Sequence, residues 1–219
     1  MMIDNKNIAR IILPEPTISR LPWYLSYLNL QHSHNVEYVS STQIAKDINV
    51  DASQIAKDLS FLNIKGKTRI GYEVDTLVKE LVDFLGFQRK HNAFMIGVGS
   101  LGKALIQDSG LMQFGLNIVA GFDVNPALIG TSIGDVPIFS MDELDERQEE
   151  FGTEIGILAV PAEHAQDATD TMIACGIQAI WNFTPSRIKA SNDIVIQNTS
   201  IYAHLAVMYN RLEEKKRMV

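Results

Sequence analysis

The densest chemical signal in the chain lies in six residues, Gly97-Val98-Gly99-Ser100-Leu101-Gly102. They follow the apolar run Ala93-Phe94-Met95-Ile96 and precede Lys103-Ala104-Leu105-Ile106, so the glycines fall where a strand should turn into a helix. In that context G-x-G-x-x-G is a fingerprint for the pyrophosphate of a dinucleotide. Gly97 makes the tight turn, Gly99 lets backbone approach the phosphates, and Gly102 lets the helix pack closely on the strand. The phosphates are expected at the positive end of that helix. A second strand candidate, Asn117-Ile118-Val119-Ala120-Gly121-Phe122, ends in Asp123, 21 residues after Gly102. An acid at about that distance bonds the adenosine ribose hydroxyls. No Arg or Lys follows in Val124-Asn125-Pro126-Ala127-Leu128. A 2′-phosphate would meet a carboxylate with no counter-charge, so NAD(H) is expected rather than the phosphorylated cofactor. The plainer alternative is a glycine turn in an α/β domain that binds no nucleotide.

Two further strand candidates are Ile155-Gly156-Ile157-Leu158-Ala159-Val160 and Ala179-Ile180-Trp181-Asn182-Phe183. They run into Pro161-Ala162-Glu163 and Thr184-Pro185. Ligands of open parallel sheets bind outside the carboxyl ends of the strands, so these turns should form the far side of the cofactor pocket. Either proline could equally just end its strand.

A dehydrogenase needs a proton-transfer group near the nicotinamide. The Tyr with Lys four residues later of the short-chain type is missing: the residues four after the six tyrosines are Leu28, Gln31, Thr42, Thr76, Ala206 and Glu213. Of the five histidines only His164 follows a strand that reaches the expected pocket, and a lone His there more often begins a helix than acts as a catalyst. No catalytic residue is therefore assigned, and no separate substrate domain is visible.

The elements before residue 90 differ in kind. Leu21, Tyr24, Leu25 and Leu28 fit one face of a helix, preceded by Pro14-Glu15-Pro16-Thr17, which is expected to be irregular. Gln43-Ile44-Ala45-Lys46-Asp47 returns as Gln54-Ile55-Ala56-Lys57-Asp58. Ser40-Ser41-Thr42-Gln43 fits a capping box and Asp51-Ala52-Ser53-Gln54 a close variant. Two short helices joined through Ile48-Asn49-Val50 make a helix-turn-helix candidate, the second running from about Ala52 to Leu62. Ile64-Lys65-Gly66-Lys67-Thr68-Arg69-Ile70-Gly71-Tyr72 suits a small β-hairpin, which would complete a winged helix. Its second helix can enter a major groove while a cationic wing meets phosphates. Lys57, Lys65, Lys67 and Arg69 supply the charge. A solvated surface on a small helical domain would have the same composition.

The 219 residues allow one or two domains. With 46% hydrophobic and 21% charged residues the chain is too apolar to be disordered. No run approaches the length of a membrane span, and Met1-Met2-Ile3-Asp4-Asn5-Lys6 lacks a signal-peptide pattern. Cys175 is the single cysteine, which excludes an internal disulfide and a zinc site built on cysteine pairs and points to the cytoplasm. No metal site is expected. The net charge of −7 argues against nucleic acid as a partner, but it is unevenly spread: residues 1–70 carry eight bases against six acids, and the remainder carries the acidity. The expected organisation is a winged-helix DNA-binding domain over 1–87, a Rossmann domain over 88–198 and a C-terminal helix over 199–219. That helix carries the apolar stripe Ile201, Leu205, Met208 and Leu212, suited to closing the domain or to meeting a second subunit.

These motifs together resemble the Rex family of bacterial redox-sensing transcriptional repressors. The resemblance rests on Pro14-Glu15-Pro16-Thr17-Ile18-Ser19-Arg20-Leu21, Lys57-Asp58-Leu59-Ser60-Phe61, Gly71-Tyr72, the glycine segment, Phe122-Asp123-Val124, Ala159-Val160-Pro161-Ala162 and Asn182-Phe183-Thr184-Pro185. It implies an α/β homodimer with N-terminal winged helix-turn-helix domains, C-terminal Rossmann domains and an exchanged C-terminal helix. It also implies a repressor bound to palindromic operator DNA and released by NADH. Carried onto this chain, it makes Gly97, Val98, Gly99, Ser100, Leu101, Gly102, Asp123, Val124, Val160, Pro161, Asn182, Phe183 and Pro185 cofactor residues. It makes Arg20, Ser53, Gln54, Lys57, Ser60, Lys65, Lys67 and Arg69 DNA residues. Two other readings share these features: an NAD(H)-binding protein that acts through a protein partner, and an NAD-dependent oxidoreductase.

Three positions depart from the family pattern. Ala56 stands where the recognition helix usually has a basic residue, which implies a variant operator or weaker binding to the usual one. Thr68-Arg69 replaces the usual Arg-Gly pair of the wing. Asp108 and Ser200 replace a tyrosine and an aspartate that pair, which would put a carboxylate near the nicotinamide end and favour NAD⁺ more than in most relatives.

Overall fold

The computed structural model describes residues 13–62 and 64–218; the expectation for Met1–Lys6 lies outside them. Two compact units divide after Gln88.

The first unit is built on α1 (Glu15–Ser33). Contrary to expectation, the proline segment is helical from Glu15. Pro16 falls in the first turn, where an N–H has no intrahelical partner to lose, and Thr17 and Ile18 donate to the Pro14 carbonyl at 2.9 and 3.2 Å. Leu21, Tyr24, Leu25 and Leu28 form the buried face, none more than 2% exposed. The short strand β1 (Tyr38–Val39) precedes α2 (Ser41–Ile48). The Ser40 hydroxyl accepts from the Gln43 N–H while Gln43 Oε1 accepts from the Ser40 N–H, the expected reciprocal cap. Asn49, at φ +54, reverses the chain into α3 (Ala52–Leu59). Asp51 caps α3 by accepting from Ser53 and Gln54, but Gln54 does not reach back; it turns inward to Asp58. The helix stops at Leu59, and residues 60–62 continue only as turns.

The expected hairpin over 64–72 is reduced to one antiparallel bridge between Lys67 and Gly71. Three residues are too few to sustain a ladder, and Arg69 takes the left-handed conformation at φ +66. The ladder forms elsewhere, between β2 (Tyr72–Glu73) and β1. Gly71 permits this: at φ +112, an added Cβ would lie 2.3 Å from the Val39 carbonyl oxygen. Helix α4 (Val74–Leu85) closes the unit by burying Val74, Leu77 and Leu81.

The second unit holds a seven-stranded sheet. Its strands are β3 (His91–Ile96), β4 (Leu116–Asp123), β5 (Ser132–Ile133), β6 (Val136–Ser140), β7 (Ile155–Leu158), β8 (Ala179–Asn182) and β9 (Val195–Asn198). The order is β5-β6-β4-β3-β7-β8-β9, parallel except for β5. From β6 to β9 this is the doubly wound 3-2-1-4-5-6 arrangement, with its switch point between β3 and β7. Helices α5 (Ser100–Ile106), α6 (Ser109–Gln113), α7 (Leu144–Phe151) and α8 (Ala165–Ala174) connect the strands. The four strands read from sequence are β3, β4, β7 and β8. Strands β5, β6 and β9 are not evident in the sequence: β5 has two residues, β6 contains Pro137, and β9 (Val195–Asn198) ends in the polar pair Gln197-Asn198. Phe94 and Phe122 pack edge to face at 4.9 Å in the core, each fully buried ring contributing roughly 1.5–3 kcal/mol. Helix α9 (Ile201–Arg217) is capped by Ser200 and buries none of its residues.

Candidate functional sites

The glycine segment lies at the switch point of the sheet. Gly97 has φ +88, and a Cβ there would lie 2.7 Å from the Ala159 carbonyl oxygen. Its N–H donates to Phe122, and the Ala159 N–H donates to Ile96, so the turn is fastened to both neighbouring strands. At Gly102 a Cβ would come within 2.1 Å of the Gly97 carbonyl oxygen, the close packing of α5 on β3 that the sequence implies. At Gly99 an added Cβ would meet nothing within 4 Å. Gly99 is also the N-cap of α5, and no side chain caps it. The first-turn N–H groups beside it suit a phosphate, and the glycine cradle fits a dinucleotide.

Asp123 ends β4 next to this turn. Its Oδ2 accepts from the Val98 N–H at 2.7 Å and its Oδ1 from the Asn125 N–H at 2.9 Å. The carboxylate thus shapes the glycine turn from the position expected of a ribose ligand. Val124 follows it, 80% exposed.

Beyond the turn lies a cleft of about 220 Å³. It brings together Leu101, Val160, Phe183 and Pro185 from the expected residues and adds Thr184, Ser200, Ile201 and Tyr202. Pro161 is exposed and lies outside this lining. Asn182 has a different part from the one expected. Its side chain is 1% exposed and fully occupied: Oδ1 accepts from the N–H and hydroxyl of Thr184, and Nδ2 donates to the Ser186 carbonyl and to Asn198 Oδ1. It holds the turn that presents Phe183 and Pro185, with no donor or acceptor left over for a cofactor. Trp181 supports the same edge by donating to Thr199 and stacking near Phe183 at 4.6 Å. Asp108 caps α6, its Oδ1 accepting from Gly110, and does not line the cleft.

In the first unit Ser53, Lys57 and Ser60 are exposed along one side of α3 and its end, while Ile55, Asp58 and Leu59 are buried on the other. Ser53 donates to Asp51 and Ser60 to the Lys57 carbonyl. On the wing, Lys67 Nζ donates to the Tyr38 hydroxyl at 2.6 Å and stands 4.6 Å from its ring centre. Hydrogen bonding to Tyr38 raises the Lys67 pKa, so it stays charged. The side chains of Lys57, Lys65 and Arg69 have no hydrogen-bonding or ionic partner among the described residues.

Arg20 is engaged inside the fold. Its Nε donates to Asp58 Oδ2 at 2.7 Å and its Nη2 to Oδ1 at 2.8 Å. Asp58, with no exposed surface, also accepts from Tyr24 at 2.7 Å, Gln54 at 2.9 Å and Thr17 at 3.2 Å. Burial alone would push the Asp58 carboxyl up, but the bonds from Arg20, Tyr24 and Gln54 and the Arg20 charge outweigh it and hold it below the usual range. The bond to Asp58 raises the Arg20 pKa further. Burial, then Asp58, pushes the Tyr24 hydroxyl up to about 12.

The model of a CoA binding domain matches residues 88–186, and that of a putative DNA-binding protein N-terminus matches residues 12–60. The redox-sensing transcriptional repressor Rex of Bacteroides fragilis is 60% identical over 210 residues, covering 96% of this chain and 94% of the relative. The chain belongs to the Rex family. The Rex of Bacteroides thetaiotaomicron is 58% identical, with 96% of this chain and 97% of the relative covered. A Rex-family repressor, RSP, solved with β-NAD⁺ and operator DNA, matches with a TM-score of 0.88 at 32% identity over 94% of this chain and 95% of its own. RSP with β-NADH matches at 0.85 and 33% identity, over 94% and 97%.

As a Rex-family member the chain is a repressor and not an enzyme, with the winged-helix and Rossmann folds its motifs imply. What sequence reasoning missed were the Asp58 and Asn182 networks. The Gln54-to-Asp58 spacing, one helical turn, was the signal for the first. An Asn within the strongly apolar Ala179–Phe183 run was the signal for the second.

Proposed function

We propose that this chain represses transcription by binding operator DNA and is released from it by NADH, so that it reports the NADH/NAD⁺ ratio. The observation that carries the reading is the open backbone cradle at Gly99, set beside Asp123 at the switch point of a sheet whose chain also bears a helix-turn-helix. The Rex-family structures with β-NAD⁺ and operator DNA, and with β-NADH, support it. The cofactor lies along Gly97–Gly102 with its ribose toward Asp123 and Val124. Its nicotinamide end lies toward Leu101, Val160, Phe183 and Pro185, near Pro161, and Asn182 positions that wall. No step of chemistry is needed: by linkage, NADH releases DNA to the extent that it binds the DNA-incompetent form more tightly.

Lys57, Lys65, Lys67 and Arg69 meet phosphates, and Ser53 and Ser60 border the groove-facing side of α3, whereas Gln54, expected there, turns inward to Asp58. The protein acts as a homodimer on palindromic operators, with α9 exchanged between subunits, which accounts for a helix that leaves Tyr202, Met208 and Leu212 at least half exposed. The winged helix, Rossmann domain and exchanged helix divide near residues 87 and 198, and the protein works in the cytoplasm. No helix among the described residues is long and apolar enough to cross a membrane.

The test is an electrophoretic shift of a palindromic Rex operator by the full chain, titrated with NADH and with NAD⁺. NADH should release the DNA at concentrations where NAD⁺ does not. Binding that ignores both cofactors, or no DNA binding at all beside tight NADH binding, overturns it; the latter leaves a regulator that works through a protein partner.

A further inference from the structure

The five-residue repeat on α2 and α3 has a structural reason. Its isoleucines, Ile44 and Ile55, are both fully buried. Its aspartates each face a tyrosine of α1: Asp58 accepts from the Tyr24 hydroxyl at 2.7 Å, and after burial it is Asp47 that raises the Tyr27 hydroxyl. One helix therefore meets both halves of the helix-turn-helix. The halves are unequal, because Asp47 is exposed, whereas Asp58 is fully buried and adds Arg20, Gln54 and Thr17.

We propose that Arg20 and Asp58 are positioning residues that fix the rotation of α3 about its own axis, and that Arg20 is not itself a contact to DNA. This rests on the DNA-binding reading above. Lys57 and Asp58 are adjacent, so they point about 100° apart on the helix. Anchoring Asp58 inward therefore sets where Lys57 points. The paired Nε and Nη2 bonds fix direction as well as distance, as a single ammonium cannot. The carboxylate beside it cancels most of the guanidinium's charge, which makes Arg20 a poor phosphate ligand. The Arg20 side chain is only 27% exposed.

The full chain would be tested on a duplex selected by the wild type from a random pool and on an unselected duplex of equal length, across a salt series. Arg20→Lys keeps the charge and loses the paired geometry. It should weaken the selected duplex by about tenfold or more, while the unselected duplex and the salt slope stay as in wild type. The double variant Arg20→Met/Asp58→Leu, which removes the anchor together with both charges, should weaken the selected duplex at least as far as Arg20→Lys does, with the salt slope still as in wild type. Arg20→Lys binding like wild type would overturn the proposal. So would a double variant, folded by circular dichroism, that binds worse than Arg20→Lys with its salt slope reduced by about 0.9 for each phosphate no longer neutralised. Should the double variant not fold, Arg20→Lys decides alone. A wild type that selects no duplex overturns the DNA-binding reading itself, and this inference with it.

Discussion

The Val98 N–H donates to the Asp123 carboxylate at 2.7 Å, joining the middle of the glycine turn to the end of the neighbouring strand. The residue placed to bond the ribose also preshapes the phosphate cradle. Asp123→Ala should thus weaken NADH by more than one ribose contact is worth, about 2–4 kcal/mol in all. Calorimetry on the full chain checks this. The same measurement should give NADPH at least about tenfold weaker than NADH, since the 2′-phosphate meets a carboxylate and no cation.

Gly99 and Gly102 should fail in opposite ways. Gly102→Ala drives a Cβ to 2.1 Å from the Gly97 carbonyl oxygen; it should cost about 1–3 kcal/mol of stability, read from urea unfolding. Gly99→Ala meets open space, so its unfolding should match wild type while NADH affinity falls, because the methyl occupies the room left for the phosphates.

Asn182→Ala removes four hydrogen bonds from a buried side chain. It should destabilise the Rossmann unit by about 2–4 kcal/mol. NADH should bind weakly as a consequence, through loss of the wall carrying Phe183 and Pro185. A loss of affinity with unchanged unfolding would show a direct contact instead.

The Asp58 carboxyl titrates below its ordinary value when folded. It therefore adds stability that is complete above the ordinary carboxylate range and lost as pH falls through that range toward the lowered native value. Tyr24 works at the other end. Its hydroxyl is raised from 10.0 to about 12, so its contribution is full below pH 10 and is lost as pH rises to 12. Unfolding of the winged-helix unit followed over pH should show both limbs, to which Asp51 and Tyr27 add, and Asp58→Asn should shrink the acid one.

The side chains of Lys57, Lys65 and Arg69 are exposed and without partners among the described residues. Replacing each by Ala should weaken specific and non-specific DNA alike and lower the salt slope by about 0.9 for every phosphate that the removed cation had neutralised. Lys67 should behave the same way, with a further local effect from freeing Tyr38.

The parts legible in the sequence were those set by backbone geometry or by periodicity. Gly97 and Gly102 announce themselves because a Cβ at either strikes backbone, and Gly99 because the spacing of the motif leaves it open to a phosphate. Leu21, Tyr24, Leu25 and Leu28 announce a helix face by spacing alone. The parts that were not legible depend on contacts distant in the chain. An aspartate in Lys57-Asp58-Leu59 reads as surface until Arg20, 38 residues away, is found beside it. Asn182 reads as a site residue because its polarity is visible and its four partners are not. The wing is shorter than the expected hairpin because three residues between Lys67 and Gly71 cannot sustain a ladder, and Tyr72 pairs with Val39 instead.

A 17-residue helix with no fully buried residue is poorly held by its own chain, since isolated helices of that length are marginal in water. In the proposed exchanged-helix dimer the order of α9 is supplied by mass action, so dilution should unravel α9 and lower the apparent melting temperature, and both should return as protein concentration rises. Because Ser200, Ile201 and Tyr202 at the start of that helix line the candidate cofactor cleft, the apparent affinity for NADH in such a dimer should inherit the same dependence. The abundance of the repressor would then set not only how many operators are filled but how sensitively each molecule reads the redox state.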